Sequence, residues 1–518
     1  MFLGFDAAKL QKSEGKTKYI LFFSHFSVNL YRKLTLTMAN LKILAKDTAI
    51  YGLSSIVGRF INYLLVPLYT YVLARTDDYG IVTNLYAWTA LLLVILTYGM
   101  ETGFFRFANR EDYDAKSVYK TAFFTLLGTS SAFALMILLF QQPIATALGY
   151  PDHSEFIAMM FATVAVDAFA CIPFAYLRYQ KRPIAFATLK LLFVVLNIGF
   201  NLLFLVVLGK NDVYYVFLSN ILATFIQTAC LLPMTLPKGG RFDGKVLREM
   251  LKYSLPLLVL GVAGIMNQTL DRILFPYLYT GDDAQAQLGI YGACFKVAMV
   301  MMMFTQAFRY AYEPFVFAKH KDRQSVEAYA DAMKYYIIFS YLILLGVIFY
   351  LDIFRYIVSS AYWEGLKIVP VVLWTYVFQG VYFNLSFWYK LTDETKWGAY
   401  FSLIGLAITL VIQIVGVPLI GYWASCGSSL ICYLVIMLLS YFIGQKKAPI
   451  PYDMKSIAQY TLLTFGLLAV YYYIRHYFDL NMWVLMGIGT LFIGVYILKM
   501  TRRDFPLSGL PVVGKYFK

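Results

Sequence analysis

Apolar residues in this chain come in long runs rather than alternating stripes. From about residue 47 onward, stretches of roughly 18 or more mostly apolar residues recur, divided by short polar segments. Each is long enough to cross a hydrocarbon core of about 30 Å as a helix. Lipid-facing barrel strands would show a weak period of two, which is missing, so the runs predict helices. Fourteen spans are expected: six between about 47 and 234, six between about 253 and 444, and two between about 456 and 500. The fold class is therefore an all-α polytopic membrane protein, with two six-helix lobes and two C-terminal helices.

The polar punctuation sets the domain organisation. Residues 1–40 form an N-terminal extension, in which YILFFSHF is too broken for a span and no cleaved signal peptide is evident. The lobes are expected at 41–235 and 253–445, and the last two helices with a tail at 446–518. Between the lobes, 236–252 places Lys245, Arg248 and Lys252 opposite Val246, Leu247, Met250 and Leu251. That pattern predicts an amphipathic helix lying on the cytoplasmic surface.

The chain also repeats. Pro67 and Pro276 each precede a Gly-Ile pair by the same distance, at Gly80 and Gly289, an offset of 209 (289 − 80). Glu155 and Glu364 keep that offset, and Asn201 and Gln413 a nearby one of 212 (413 − 201). Four matches in order argue for duplication. Six spans per unit bring both halves in from the same side, so the repeat is parallel, with its axis along the membrane normal and the substrate path between the halves.

Composition agrees: 60% of the 518 residues are hydrophobic and 14% charged, against about 25% charged in soluble domains. The formal charge of +15 could suggest nucleic acid, but its distribution excludes that. Arg106, Arg110, Lys116 and Lys120, then Arg178, Lys181 and Arg182, fall in loops on one side; QQPIATALGYPDHSE and TGDDAQAQ, on the other, carry no Lys or Arg. This positive-inside pattern places both termini in the cytoplasm and sets the chain against an anionic leaflet. The five cysteines lie in apolar segments without a CxxC, and the four histidines form no ligand cluster, so no metal or cofactor is expected. GGRFDGKV resembles a phosphate loop only up to Lys245; Val246 stands where Ser or Thr would hold magnesium, and no strand precedes it.

Candidate chemistry lies in the few charges inside spans. Arg59, Asn62, Gln268, Asp271, Arg272 and Lys296 fall in the first, seventh and eighth spans, and Asp167 in the fourth. The offset sets Asn62 opposite Asp271 (271 − 209 = 62). A charge at the bilayer centre costs roughly 2.5–3.5 kcal/mol on insertion scales, so each needs a wet cavity or a partner. Arg59, Arg272 and Lys296 outnumber Asp271 and Asp167, and a cationic cavity prefers anions, phosphate above all. Helix-locking by Asp271, with Asn267 and a basic neighbour, is the competing reading. Asp167 is a candidate titrating group; Lys190, Glu101, Arg106, Arg309 and Glu313 read as interfacial, Asn197 and Asn201 as helix pairing, and most tyrosines as interfacial belt.

The stretch from Leu41 to Trp88, with the motif DxxxYGxxxxxxRxxNxxxxPLYTxxL over Asp47 to Leu73, resembles the first two spans of bacterial O-antigen and capsule lipid-linked oligosaccharide flippases. These belong to the multidrug/oligosaccharidyl-lipid/polysaccharide exporter (MOP) superfamily. The likeness is strongest over 41–110 and continues as span pattern to about 500. It implies two six-helix lobes around a central cavity, alternating access, and transport of an undecaprenyl-diphosphate-linked glycan across the inner membrane, without enzymatic activity. Carried over, Arg59 and Arg272 would meet the diphosphate with Lys296 in support, Asp271 and Asp167 would serve coupling, and other polysaccharide-assembly membrane proteins are candidate partners. Asp271 beside Arg272 departs from a purely cationic cavity, and the leader lies outside the family pattern. A multidrug and toxin extrusion antiporter would want a carboxylate-dominated cavity; a membrane-embedded polymerase or glycosyltransferase would want a large outer loop or a catalytic carboxylate cluster.

Overall fold

The computed structural model describes residues 63–318, 323–392 and 394–505. Among them, twelve helices are long and apolar enough to cross a membrane, and a bent pair makes a thirteenth. The first expected span is described only from Tyr63, and Arg59 and Asn62 lie outside the described residues.

The first half runs α1 (Leu65–Val72), α2 (Thr76–Thr97), α3 (Met100–Ala108), α4 (Ala115–Ala147), α5 (Ser154–Tyr179), α6 (Pro183–Asn201) and α7 (Val213–Thr235). The second continues with α8 (Gly244–Leu278), α9 (Ala284–Val297), α10 (Met299–Ala318), α11 (Arg323–Phe349), α12 (Val369–Leu385), α13 (Lys396–Ile420) and α14 (Tyr422–Lys447), followed by α15 (Met454–Tyr477) and α16 (Met482–Arg503). Helices are the only way such segments can satisfy their backbone groups away from water. Local chemistry sets where they start: Asp114, Asp212, Asp243, Asp453 and Asn481 each accept hydrogen bonds from first-turn amides. α2 and α3 are divided by Tyr98 and Gly99 at positive φ.

Several expectations are corrected here. The segment before the seventh span does not lie apart as a surface helix: from Gly244 it is one α-helix with that span, to Leu278. The linker ahead of it is docked on α4, where the Arg241 amide donates to Ser117 Oγ (3.1 Å) and the Asp243 amide to Thr121 Oγ1 (3.0 Å). Tyrosines do not merely belt the interface. Tyr119, Tyr291, Tyr336, Tyr362, Tyr460, Tyr471 and Tyr496 are among the largest fully buried side chains. Most donate inward, as Tyr496 does to the Ile338 carbonyl (2.9 Å) and Tyr460 to Asp504 Oδ2 (2.7 Å).

Between the halves, α2 and α9 meet backbone to backbone. A β-carbon on Gly80 would stand 1.9 Å from the Gln285 carbonyl oxygen, and one on Gly289 2.1 Å from that of Thr76. Under the offset of 209, Gly80 maps to Gly289 and Thr76 to Gln285, so the contact is reciprocal. Thr83 and Gly292 map onto each other (292 − 209 = 83) and also touch, with Thr83 Oγ1 2.4 Å from a Gly292 β-carbon position. Reciprocity of this kind is the mark of an isologous two-fold interface. α15 is tied to the second half by a bidentate pair from Arg475 to Asp352 (2.9 and 3.0 Å).

Candidate substrate cavity

Adjacent residues on a helix point about 100° apart, so Asp271 and Arg272 of α8 cannot share a direction. Asp271 turns into the second half, where its side chain is 4% exposed and Oδ2 accepts from the Tyr291 hydroxyl at 2.5 Å. Arg272 lines the cavity between the halves. Its guanidinium lies 4.2 Å over the Phe295 ring, and its Nε stands 3.9 Å from Asp271 Oδ2. The partner expected for Asp271, Asn267, is elsewhere engaged: its Nδ2 donates to the Ser402 carbonyl at 2.9 Å.

Pro276 accounts for a second feature. Having no N–H, it cannot bond the carbonyl four residues earlier, which belongs to Arg272. Asn84 of α2 fills the gap, donating from Nδ2 to that carbonyl at 2.7 Å. The Asn84 amide oxygen accepts from the Tyr150 hydroxyl (2.9 Å), which in turn accepts from Gln285 Nε2 (3.1 Å). A polar chain thus runs from the second half through the first and back to the arginine backbone. Neither Asn84 nor Tyr150 was among the sequence candidates, although Pro276 four residues after a charged position was a usable signal.

Arg272 and Lys296 line one cavity of about 310 Å³ between the halves, facing Tyr69, Tyr86, Asn197 and Asn220 of the first. Lys296 lies not in the middle of a straight span but in the last turn of α9, just before a 47° bend into α10. A cation there faces the negative end of the helix dipole.

Gln268 and Asp167 fall outside the lining. Gln268 is exposed, its Nε2 donating to the Gly264 carbonyl at 3.3 Å while its own carbonyl accepts from Arg272 at 3.4 Å. Asp167 is not among the lining residues, and its charge acts on Tyr86 and Lys190. Lys190 does not reach outward: its ammonium lies 4.0 Å over the Phe174 ring. Asn197 lines the cavity, and Asn201 donates to its carbonyl at 2.7 Å and also meets Tyr69 of α1. Glu101 pairs with Arg178, and Arg106 lies 4.1 Å over the Tyr253 ring.

A polytopic helical bundle whose halves meet around a cavity bearing two cations has the architecture of a membrane transporter of the MOP class. Residues 44–312 match the family described as polysaccharide biosynthesis protein, and the chain belongs to that family. No curated protein sequence matches it significantly. Among solved structures it is similar to the lipid II flippase MurJ in an inward closed conformation, with a TM-score of 0.68 at 16% identity over 89% of this chain and 99% of that one. An inward-facing multidrug resistance MATE transporter of the MOP superfamily gives 0.61 at 11% identity, over 77% and 94%. A MOP superfamily transporter from Pyrococcus furiosus, described as having a binding pocket of reverse polarity, gives 0.53 at 13%, over 78% and 95%. At these identities the likeness establishes the fold.

Proposed function

We propose that this protein flips an undecaprenyl-diphosphate-linked oligosaccharide across the bacterial inner membrane by alternating access, for assembly of a surface polysaccharide. The observation that carries the reading is the joint presence of Arg272 and Lys296 on one cavity between the halves, with Asp271 turned away under the Tyr291 hydroxyl. A diphosphate offers several oxygens to a guanidinium fork and an ammonium, and low dielectric strengthens both contacts. Arg59 and Asn62, read from the sequence alone, are further substrate-binding residues in this proposal. The lobes are 41–235 and 253–445, both termini face the cytoplasm, and Asp271 and Asp167 are the coupling carboxylates. Membership of the polysaccharide biosynthesis family supports the substrate class.

Ligand-dependent thermal stabilisation of the purified protein tests this. Undecaprenyl diphosphate raises the melting temperature of wild type and fails to do so in Arg272→Ala. Stabilisation by lipophilic cationic drugs alone would instead make the protein a drug exporter.

A further inference from the structure

The cavity that holds Arg272 and Lys296 has two unlike walls, and the duplication shows where they part. Tyr86 and Ala87 of α2 map onto Phe295 and Lys296 of α9 by the offset of 209 (295 − 86 and 296 − 87), and all four line the cavity. The second half thus has an ammonium where the first has a methyl group. The first half has a phenol where the second has a plain ring. Charge lies on one wall. The opposite wall is polar and neutral, made by Tyr86 with Asn197 of α6 and Asn220 of α7.

The two amides of that wall are held in place and half used. Asn197 is 4% exposed and Asn220 8%. Asn201, one turn along α6, donates from Nδ2 to the Asn197 carbonyl (2.7 Å) and to Asn197 Oδ1 (3.2 Å). That leaves Asn197 Nδ2 as a donor with no acceptor among the described residues. Asn220 gives its Nδ2 to the Tyr86 hydroxyl (2.8 Å), which leaves Oδ1 as an acceptor with no donor among them. Buried polar groups are normally paired, so an open donor and an open acceptor on one cavity wall point to a ligand that supplies both partners.

A phosphate does not fit this wall, because it offers acceptors and Asn220 Oδ1 would face it lone pair to lone pair. A secondary amide offers one carbonyl and one N–H, the complement of the pair. Its methyl group has a place as well, since Phe193 lines the cavity one turn before Asn197, with Leu65 and Val66 of α1. A hydroxyl in the same position reaches less far and brings no methyl group. The volume of about 310 Å³ is at the lower end for small-molecule sites, room for a diphosphate and one sugar but not for a longer glycan. We propose that Asn197 and Asn220 form a subsite for a 2-acetamido sugar joined directly to the diphosphate. Asn197 Nδ2 donates to the acetamido carbonyl, and Asn220 Oδ1 accepts from the acetamido N–H. Tyr86 and Asn201 are positioning residues that aim the two amides. This inference rests on the flippase reading and adds to it the class of the first sugar.

Binding to the full chain in nanodiscs tests it with three probes. They are undecaprenyl diphosphate without sugar, the same lipid carrying N-acetylglucosamine, and the same lipid carrying glucose. Wild type is expected to prefer the acetamido lipid over the glucose lipid by about tenfold, the scale of one or two buried hydrogen bonds. Asn197→Leu keeps the side-chain shape and the backbone carbonyl that Asn201 uses, and is expected to bring the two glycolipids to equal affinity. Tyr86→Phe keeps the ring, releases Asn220 Nδ2, and is expected to lower the preference to about threefold, the loss of one of the two bonds. It carries the test should Asn197→Leu fail to fold, which melting temperature reads. Equal affinity of wild type for the two glycolipids, or an undiminished preference in either folded variant, overturns the subsite. Failure of wild type to bind any of the three lipids overturns the flippase reading itself, and the subsite with it.

Discussion

The amide nitrogen of Gly80 stands 3.0 Å from the point a β-carbon on Gly289 would occupy. Two glycines separated by 209 residues, and equivalent under the duplication, therefore form the close contact between the halves. Any side chain at either position drives backbone from backbone. Gly289→Ala is expected to destabilise the protein by about 1–3 kcal/mol, the usual range for overpacking, seen as a lower melting temperature. An unchanged melting temperature would mean that the halves do not meet there.

Pro276 and Asn84 make a conditional pair. Removing the Asn84 amide leaves the Arg272 carbonyl without a donor, at a cost of about 1–3 kcal/mol. Pro276→Ala supplies the missing N–H four residues on. Asn84→Ala should accordingly be costly in the native background and mild in Pro276→Ala, a coupling that a double-mutant cycle of thermal stabilities measures. Additive effects would remove the proline from the account.

Asp271 keeps its place through Tyr291. Tyr291→Phe deletes a hydrogen bond to a charged group and should cost about 1.5–3 kcal/mol. Asp271→Asn retains an acceptor for the hydroxyl while removing the carboxylate that stands 3.9 Å from Arg272. Affinity for a diphosphate lipid should then hold or rise. A large loss would show that Asp271 orients Arg272 rather than merely offsetting its charge.

At the helix ends, Asp114, Asp453 and Glu394 sit outside the spans. Hydrogen bonds from Ser117, Ser456 and Lys447 respectively hold their carboxyls below the ordinary range. For a depressed carboxylate the stabilisation is complete above the unfolded-state value, roughly 4, and is lost as pH falls through the lower folded value. Melting temperature should thus decline on acidification below about pH 4, and Asp453→Asn should flatten the decline.

Much of this was legible in the sequence. Long apolar runs dictate helices because nothing else satisfies the backbone in lipid, and the offset between Pro67 and Pro276 located Gly80 and Gly289. Arg272 and Lys296 were both marked by the cost of charge in a span, and they do share a cavity. Features decided by distant partners stayed hidden. Nothing local to Asp271 announces Tyr291, twenty residues on, or keeps the carboxylate off the cavity. The bend after Val297 occurs in KVAMV, without Gly or Pro, so the position of Lys296 at a helix end had no local cue. Lys190 read as interfacial because its depth alone was visible, whereas the Phe174 ring beneath it and Asp167 nearby are tertiary facts.

The central claim is that Arg272 and Lys296 hold the diphosphate while the lipid crosses. Its most direct test is the flipping rate of a fluorescent undecaprenyl-diphosphate oligosaccharide in proteoliposomes, read by quenching of the outer leaflet. Wild type should accelerate flipping, and Arg272→Ala and Lys296→Ala should each abolish the acceleration while remaining folded. Undiminished flipping by both variants would contradict the account.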